Sequence, residues 1–161
     1  MTSETDTQPR IPASGSGEFL PGYLLFLMAS VSAAASEEFH AVVRQNGLRV
    51  PEWRVLACLH DRDGMMITRL ADFCLCEQSR MTRIIDQMDK RGLVLREPDP
   101  EDRRRVRVFL TGAGREVSDK LVEEARHHEA RLLSAFEDSD AARIKPVLRA
   151  LLQKLAEEMQ A

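Results

Sequence analysis

Apolar residues recur at spacings of three and four from Leu20 onward: Leu24, Leu27, Met28, Val31, Ala34, Ala35, Phe39, Val42 and Val43. That spacing predicts one long amphipathic helix, with Gly47 as its stop. Val50-Pro51-Glu52 opens a second helix, with Pro in the first turn and an acid beside it for the dipole. Trp53, Leu56, Ala57 and Leu59 continue it until Asp61-Arg62-Asp63-Gly64 breaks it. Ile67, Leu70, Ala71 and Phe73 predict a short third helix, and Cys74-Leu75-Cys76 a compact turn. Residues 78–91 read as a helix with Met81, Ile84, Ile85 and Met88 inward and Arg80, Arg83, Gln87 and Lys90 outward, stopped by Gly92.

The period then changes to two. Leu93-Val94-Leu95 is a short strand, and Glu97-Pro98-Asp99-Pro100-Glu101-Asp102 is a turn rich in Pro and Asp. Residues 103–110 return as a strand, Val106, Val108 and Leu110 alternating with Arg105, Arg107 and Phe109. Thr111-Gly112 closes it, and the helical period resumes. Val117, Leu121, Ala125, Leu132, Leu133 and Phe136 predict a long helix from about Ala113. Ile144, Val147, Leu148, Leu151, Leu152, Leu155 and Met159 predict a last one, with Pro146 kinking it or marking its first turn. The chain is therefore mainly α with a small β-hairpin, about six helices in all.

The chain has 161 residues, 43% of them hydrophobic and 30% charged, a length and composition suited to one globular domain. Residues 1–18, polar and rich in Thr, Ser, Gly and Pro, form a disordered tail, and 19–161 the domain. The stretch from Phe19 to Ser36 is uncharged, but Pro21, Gly22 and three serines interrupt it, and the segment before it is acidic. It fits neither a membrane span nor a signal peptide. A helix buried against another subunit fits it better. Three Cys, an odd number, suit reduced thiols in a cytoplasm rather than a disulfide scaffold.

The net charge is −3, so no basic footprint covers the whole chain. A local one does exist: residues 77–107 hold nine bases against seven acids, a charge of +2. It coincides with a short helix, a turn, a second helix and a hairpin. Such a unit presents the first half of its second helix to the major groove of double-stranded DNA. That half carries Gln78, Ser79, Arg80, Thr82 and Arg83, which can bond phosphates or base edges. The hairpin carries Arg103, Arg104 and Arg105 just after its turn, as suits the negative potential of a narrow minor groove.

Three runs resemble the MarR family of bacterial transcription regulators. The first is Val50-Pro51-Glu52-Trp53-Arg54-Val55-Leu56. The second runs from Ser79 to Val94, similar to the family's recognition helix and its exit. The most specific runs from Asp99 to Thr111, similar to the family's wing. The resemblance covers the chain from about Leu20 to its end. It implies an obligate homodimer binding a pseudo-palindrome, with residues 20–46 and 113–161 as dimerisation helices and 50–111 as a winged helix-turn-helix lobe. It implies Asp102 as the acid that orients wing arginines and Arg104 as the residue entering the minor groove. It also implies a small effector, often an aromatic acid or its CoA thioester, that releases a repressor from DNA; Tyr23, Leu27, Met28 and Trp53 are the candidates to line its pocket or, equally, to be core. The family often has Gly-Leu in the turn where this chain has Leu75-Cys76, which puts Leu75 at a position preferring left-handed geometry.

Other chemistries are less well supported. Cys58, Cys74 and Cys76 keep a thiol-based redox regulator open as the alternative, but they fall on apolar or core positions where Cys acts as a small hydrophobe, and the first helix has none. His40, His60, His127 and His128 are scattered, and Glu123 with His127 is an ordinary pair one turn apart, so no metal site or other cofactor is implied. No nucleophile, base and orienting group can be assembled into one cleft, which argues against an enzyme. A dimeric interaction protein without DNA is the reading left if the arginines prove idle.

Overall fold

In the computed structural model, residues 18–136 and 138–158 are described. The tail predicted at 1–18 falls outside them except for Glu18, and so does Met159 of the last apolar stripe. The elements are α1 (Phe19–Gly22), α2 (Leu24–Gln45), α3 (Val50–Asp61), β1 (Met65–Met66), α4 (Ile67–Phe73), α5 (Gln78–Lys90), β2 (Val94–Pro98), β3 (Val106–Leu110), α6 (Gly112–Leu133) and α7 (Asp138–Glu158). They fall into two compact units that meet within α6, after Ser118.

The first unit is a winged helix-turn-helix. Its core joins Val43 and Leu48 to Val55, Leu56 and Leu59 of α3, Leu70 of α4, Met81, Ile84, Ile85 and Met88 of α5, and Val94 and Val108 of the sheet, all buried. The inward set foreseen for α5 is the buried set. The predicted first helix is interrupted at Tyr23, whose extended backbone (φ −76°, ψ 123°) follows Pro21-Gly22 and separates α1 from α2. Gly47 (φ +69°) ends α2, its N–H donating to the Arg44 carbonyl and that of Leu48 to Val43.

The hairpin is one side of a three-stranded antiparallel sheet in the order β1-β3-β2. Val94 faces Leu110 and Pro98 faces Val106, while Met65 faces Val108. A two-residue strand leaves no alternation to read, so β1 was not foreseen. β2 runs on to Pro98 rather than ending at Leu95. β3 begins at Val106 rather than Arg103, because the backbone at 99–105 is curled by side-chain hydrogen bonds described below.

Thr111 caps α6: the Gly114 N–H donates to its hydroxyl oxygen (3.0 Å), and that hydroxyl donates to the Gly92 carbonyl (2.6 Å). A Cβ on Gly114 would lie 1.9 Å from the Leu93 carbonyl oxygen, so only glycine allows α6 to start this close to the link between α5 and β2. Two smaller expectations are corrected. Phe73, counted in the apolar pattern of the short helix, is 58% exposed, because it lies off the Leu70–Cys74 edge of a helix of about two turns; the Arg69 guanidinium lies 5.9 Å from its ring centre. Cys76 is half-buried, whereas Cys74 is buried as expected.

The second unit holds the rest of α6 and α7. Lys145 Nζ of α7 meets Glu129 Oε2 of α6 at 2.5 Å, and His127 meets Glu123 one turn back at 3.1 Å. Pro146 lies inside α7, not in its first turn. Val147, Leu148, Leu152 and Leu155 are all exposed on α7.

Candidate DNA interface

The recognition helix α5 is held at both ends by backbone turns of one kind. At its end, Gly92 (φ +69°) lets the Leu93 N–H reach the Met88 carbonyl. At its start, the turn from α4 uses the same pair of hydrogen bonds, Leu75 N–H to Asp72 and Cys76 N–H to Ala71. The residue in the left-handed position there is Leu75 (φ +54°), the one non-glycine with positive φ among the described residues.

Gln78, Ser79, Arg80, Thr82 and Arg83 are all exposed. The Thr82 hydroxyl donates to the Gln78 carbonyl (3.0 Å), which leaves its lone pairs outward. Gln78 and Thr82 share a cleft of about 440 Å³ with Arg104, Arg105 and Val106 of the wing and with Met66, Ile67 and Thr68. The start of the recognition helix and the wing arginines thus face one space. Thr68, one residue into α4, was not singled out from the sequence; a lone Thr in a short helix carries no signal until the wing is placed beside it.

The wing loop is built on acids. Asp99 is buried; its Oδ1 accepts the N–H groups of Glu101 (2.8 Å) and Asp102 (3.0 Å), and its Oδ2 accepts Arg107 Nε (2.5 Å). The Arg107 hydrogen bond, with the two backbone donors, holds the Asp99 carboxyl below its ordinary pKa against burial. Asp102 Oδ1 accepts both the backbone N–H (3.1 Å) and Nε (3.2 Å) of Arg104, and its Oδ2 lies 3.5 Å from Arg105 Nε. By sequence Asp99 is only part of the turn; it comes within reach of the Arg107 side chain because the sheet register sets Glu97, two residues before it, against Arg107.

The structure sorts the nine bases counted in 77–107. Arg107 is paired with Asp99, and Arg96 bridges Asp86 and Asp89. Arg91 reaches Glu52 Oε1 (3.2 Å) and the Gly47 carbonyl (2.8 Å). Arg80, Arg83 and Arg103 are exposed and form no ion pair among the described residues. Arg104 keeps its side chain 92% exposed despite the Asp102 contact. Three acids of the stretch, Asp86, Asp89 and Asp99, are therefore held by Arg96 and Arg107, which leaves the exposed arginines Arg80, Arg83 and Arg103 outside ion pairs among the described residues.

Glu52 was read as a dipole partner and is more than that. It is 1% exposed, and its carboxylate accepts the Arg49 N–H (2.7 Å) and Arg49 Nη2 (2.9 Å) as well as Arg91. Burial pushes its pKa up, but the Arg49 hydrogen bonds and the charges of Arg49 and Arg91 outweigh it and leave the carboxyl below its ordinary value. Arg49 Nη2 also bonds the Gln87 side chain. The α2–α3 turn is thus tied to the last turn of the recognition helix.

The four effector candidates lie in two places on α2 and α3. Tyr23 stacks on Phe19 with ring centres 5.2 Å apart, and Tyr23 and Leu27 are each 41% exposed. Met28 is half-buried. Trp53 is half-buried edge-on to Phe39 (5.1 Å), and eleven residues, about 16 Å of helix, separate Phe39 from Met28.

A profile of the MarR family matches residues 48–106, from the α2–α3 turn to the first residue of β3. A MarR family transcriptional regulator of Silicibacter pomeroyi DSS-3 is 62% identical in its crystal structure, with a TM-score of 0.79 over 86% of this chain and 98% of that one. The HTH-type transcriptional repressor IacR of Pseudomonas putida is 25% identical over 81% of this chain and 78% of its own. The fold alone, at 20% identity, is shared with CouR of Rhodococcus jostii RHA1, solved with p-coumaroyl-CoA bound, with a TM-score of 0.71 over 83% of this chain and 94% of that one. With a winged helix-turn-helix, an arginine-tipped wing and these relatives, the chain belongs to the MarR family of DNA-binding transcriptional regulators.

Proposed function

We propose that the protein is a homodimeric, cytoplasmic repressor that binds a pseudo-palindromic operator and is released by a small ligand. The observation that carries the DNA half is the cleft of about 440 Å³ shared by Gln78, Thr82, Arg104 and Arg105. With α5 in a major groove, Gln78, Ser79, Arg80, Thr82 and Arg83 take base edges and phosphates. Arg103, Arg104 and Arg105 then reach the adjacent minor groove, where the potential is most negative. Asp102 limits the freedom of Arg104 before DNA arrives, so less side-chain entropy is lost on contact.

The dimer half rests on unpartnered apolar surface. Phe19, Leu20, Leu24 and Leu25 of the first two helices and Val147, Leu152 and Leu155 of α7 are each between 48% and 77% exposed. Residues 20–46 and 113–161 are the dimerisation helices in this reading, and 50–111 the DNA-binding lobe. The repressor sign follows the IacR relative. For the effector, the reading takes an aromatic acid or its CoA thioester, the class of ligand in the CouR crystal, against Tyr23, Leu27, Met28 and Trp53.

The test is a fluorescence-anisotropy titration of the DNA upstream of the protein's own gene, repeated with p-coumarate and with p-coumaroyl-CoA. Saturable binding that either compound reverses is expected. Binding indifferent to sequence would refute the DNA half; sequence-specific binding that neither compound alters would refute the effector class alone.

A further inference from the structure

The turn Asp61-Arg62-Asp63-Gly64 stops α3 by its composition, and one of its acids reaches well beyond the turn. Asp63 Oδ1 accepts the N–H of Leu110 at the end of β3 (2.9 Å) and that of Gly64 (3.2 Å). Its Oδ2 accepts Arg115 Nη2, in the first turn of α6, at 2.6 Å. The Gly64 N–H also donates to the Val108 carbonyl (3.1 Å), and a Cβ on Gly64 would lie 2.6 Å from the Phe109 ring. The turn is therefore pressed onto β3, and one carboxylate joins it to residues 47 and 52 positions further on.

Asp63 stands at the root of the wing. Met65 faces Val108 and Met66 faces Arg107, so β1 holds β3 through two residues, and the Asp63 carboxylate extends that hold to Leu110. The other end of the same strands is the DNA cleft, where Met66 and Thr68 share a space with Arg104, Arg105 and Val106. From Leu110 to Val106, β3 rises about 13 Å, so a tilt of about 5° at the root moves the base of the wing by about 1 Å. That exceeds the roughly 0.5 Å within which a binding arrangement has to be held. On its β2 side the hairpin is held to α5 by Arg96 with Asp86 and Asp89; Asp63 is the hold on the β1 side. The Asp63 and Arg115 side chains are 33% and 40% exposed, so solvent screens their attraction and the pair adds little to global stability. Its effect is on where the wing points.

We propose that Asp63 is a positioning residue for DNA binding. With Leu110 and Arg115 it fixes the angle of the wing against the recognition helix, so that Arg104 and the start of α5 reach minor and major groove together. Asp63 acts through Arg104 and makes no contact with DNA of its own. Arg115 is the anchor that keeps the carboxylate turned toward β3 and α6. The hold on the wing follows from the fold; its output in affinity rests on the reading of Arg104 as a minor-groove contact.

The experiment takes the full-length protein as Asp63→Ala, Arg115→Met and Arg115→Lys. The first two are also combined with Arg104→Ala and, separately, with Arg80→Ala. Binding to the DNA upstream of the protein's own gene is read by fluorescence anisotropy, stability by urea unfolding, and the wing by amide hydrogen exchange of residues 99–110. Arg115→Met and Asp63→Ala are each expected to lower affinity about three- to tenfold and to speed exchange in the wing, with the urea midpoint unchanged. Arg115→Lys keeps a charge opposite Asp63 and should bind as the parent does. The loss should vanish in the Arg104→Ala background and multiply in full with that of Arg80→Ala, because the wing alone has moved. A merely structural role would multiply equally with both. That outcome, a midpoint that falls in step with affinity, or parent affinity in both variants would each overturn the proposal. Should Asp63→Ala fail to fold, Arg115→Met decides alone. A parent that binds no DNA, or binds equally well as Arg104→Ala, would instead refute the operator or the wing reading. The exchange of residues 99–110 would then still decide whether Asp63 holds the wing.

Discussion

Arg104 is the residue where affinity and stability should separate. Its guanidinium is 92% exposed and held only by Asp102, itself on the surface of the wing loop. Arg104→Ala is expected to weaken operator binding by about 1–3 kcal/mol while leaving the unfolding midpoint in urea unchanged. Equal losses in both would make Arg104 structural. Arg80 and Arg83 are both exposed and unpaired within the described residues, and differ in position along α5. Arg80, in the first turn, is expected to read a base, so Arg80→Ala should relax preference at one position per half-site. Arg83, nearly a turn later, is expected to contact phosphate, so its loss should weaken all sequences alike and lower the salt slope. Single-base operator variants separate the two. Leu75 makes a residue-scale prediction about stability. Its left-handed backbone costs about 1–2 kcal/mol, and its side chain, 81% exposed, gains little from burial. Glycine there removes the strain but adds about 0.5–1 kcal/mol of unfolded-chain entropy, so Leu75→Gly should raise stability by up to about 1 kcal/mol in urea unfolding.

At the scale of elements, two buried carboxylates hold α5 and the wing loop in place. Glu52 ties the α2–α3 turn to the end of α5, and Asp99 closes the wing loop onto β3. Both carboxyls have folded pKa values below their ordinary ones. Their contribution to stability is therefore complete at neutral pH and lost as pH falls through the carboxyl range, because protons bind the unfolded chain first. Stability measured from neutral pH down into that range should fall, and the fall should flatten in Glu52→Gln. At neutral pH that variant is expected to lose about 2 kcal/mol, since the charged acceptor of three donors is gone. A pH profile that Glu52→Gln leaves unaltered would contradict the assignment. These elements also show what was legible beforehand. The apolar face of α5, the stop at Gly92 and the position of Leu75 could be read because each is a local rule of spacing or backbone geometry. The roles of Glu52, Asp99 and Arg91 could not, because they depend on residues that the fold brings together from 39 positions away, as Arg91 and Glu52 are, or across a sheet register. β1 was hidden by its length of two residues, and Arg103 to Arg105 were placed in a strand because alternation continues, on paper, through a loop that Asp99 and Asp102 curl.

For the whole molecule, the exposed apolar residues of α2 and α7 are the surface that the proposed dimer would cover. Sedimentation at micromolar concentration should give a two-fold dimer, and a folded monomer would contradict that reading. The most direct test of the central claim joins symmetry, charge and the wing in one measurement. Duplexes selected from a random pool by the full-length protein are titrated between 50 and 200 mM salt, for the parent and for Arg104→Ala; a logarithmic slope near −0.9 per phosphate contact is the reference. The account predicts selected sequences with two-fold symmetric half-sites about 10 base pairs apart, a steep slope for the parent, and a weaker, shallower binding curve for Arg104→Ala. Selected sequences without symmetry, or a parent and variant with the same affinity and the same slope, would contradict it.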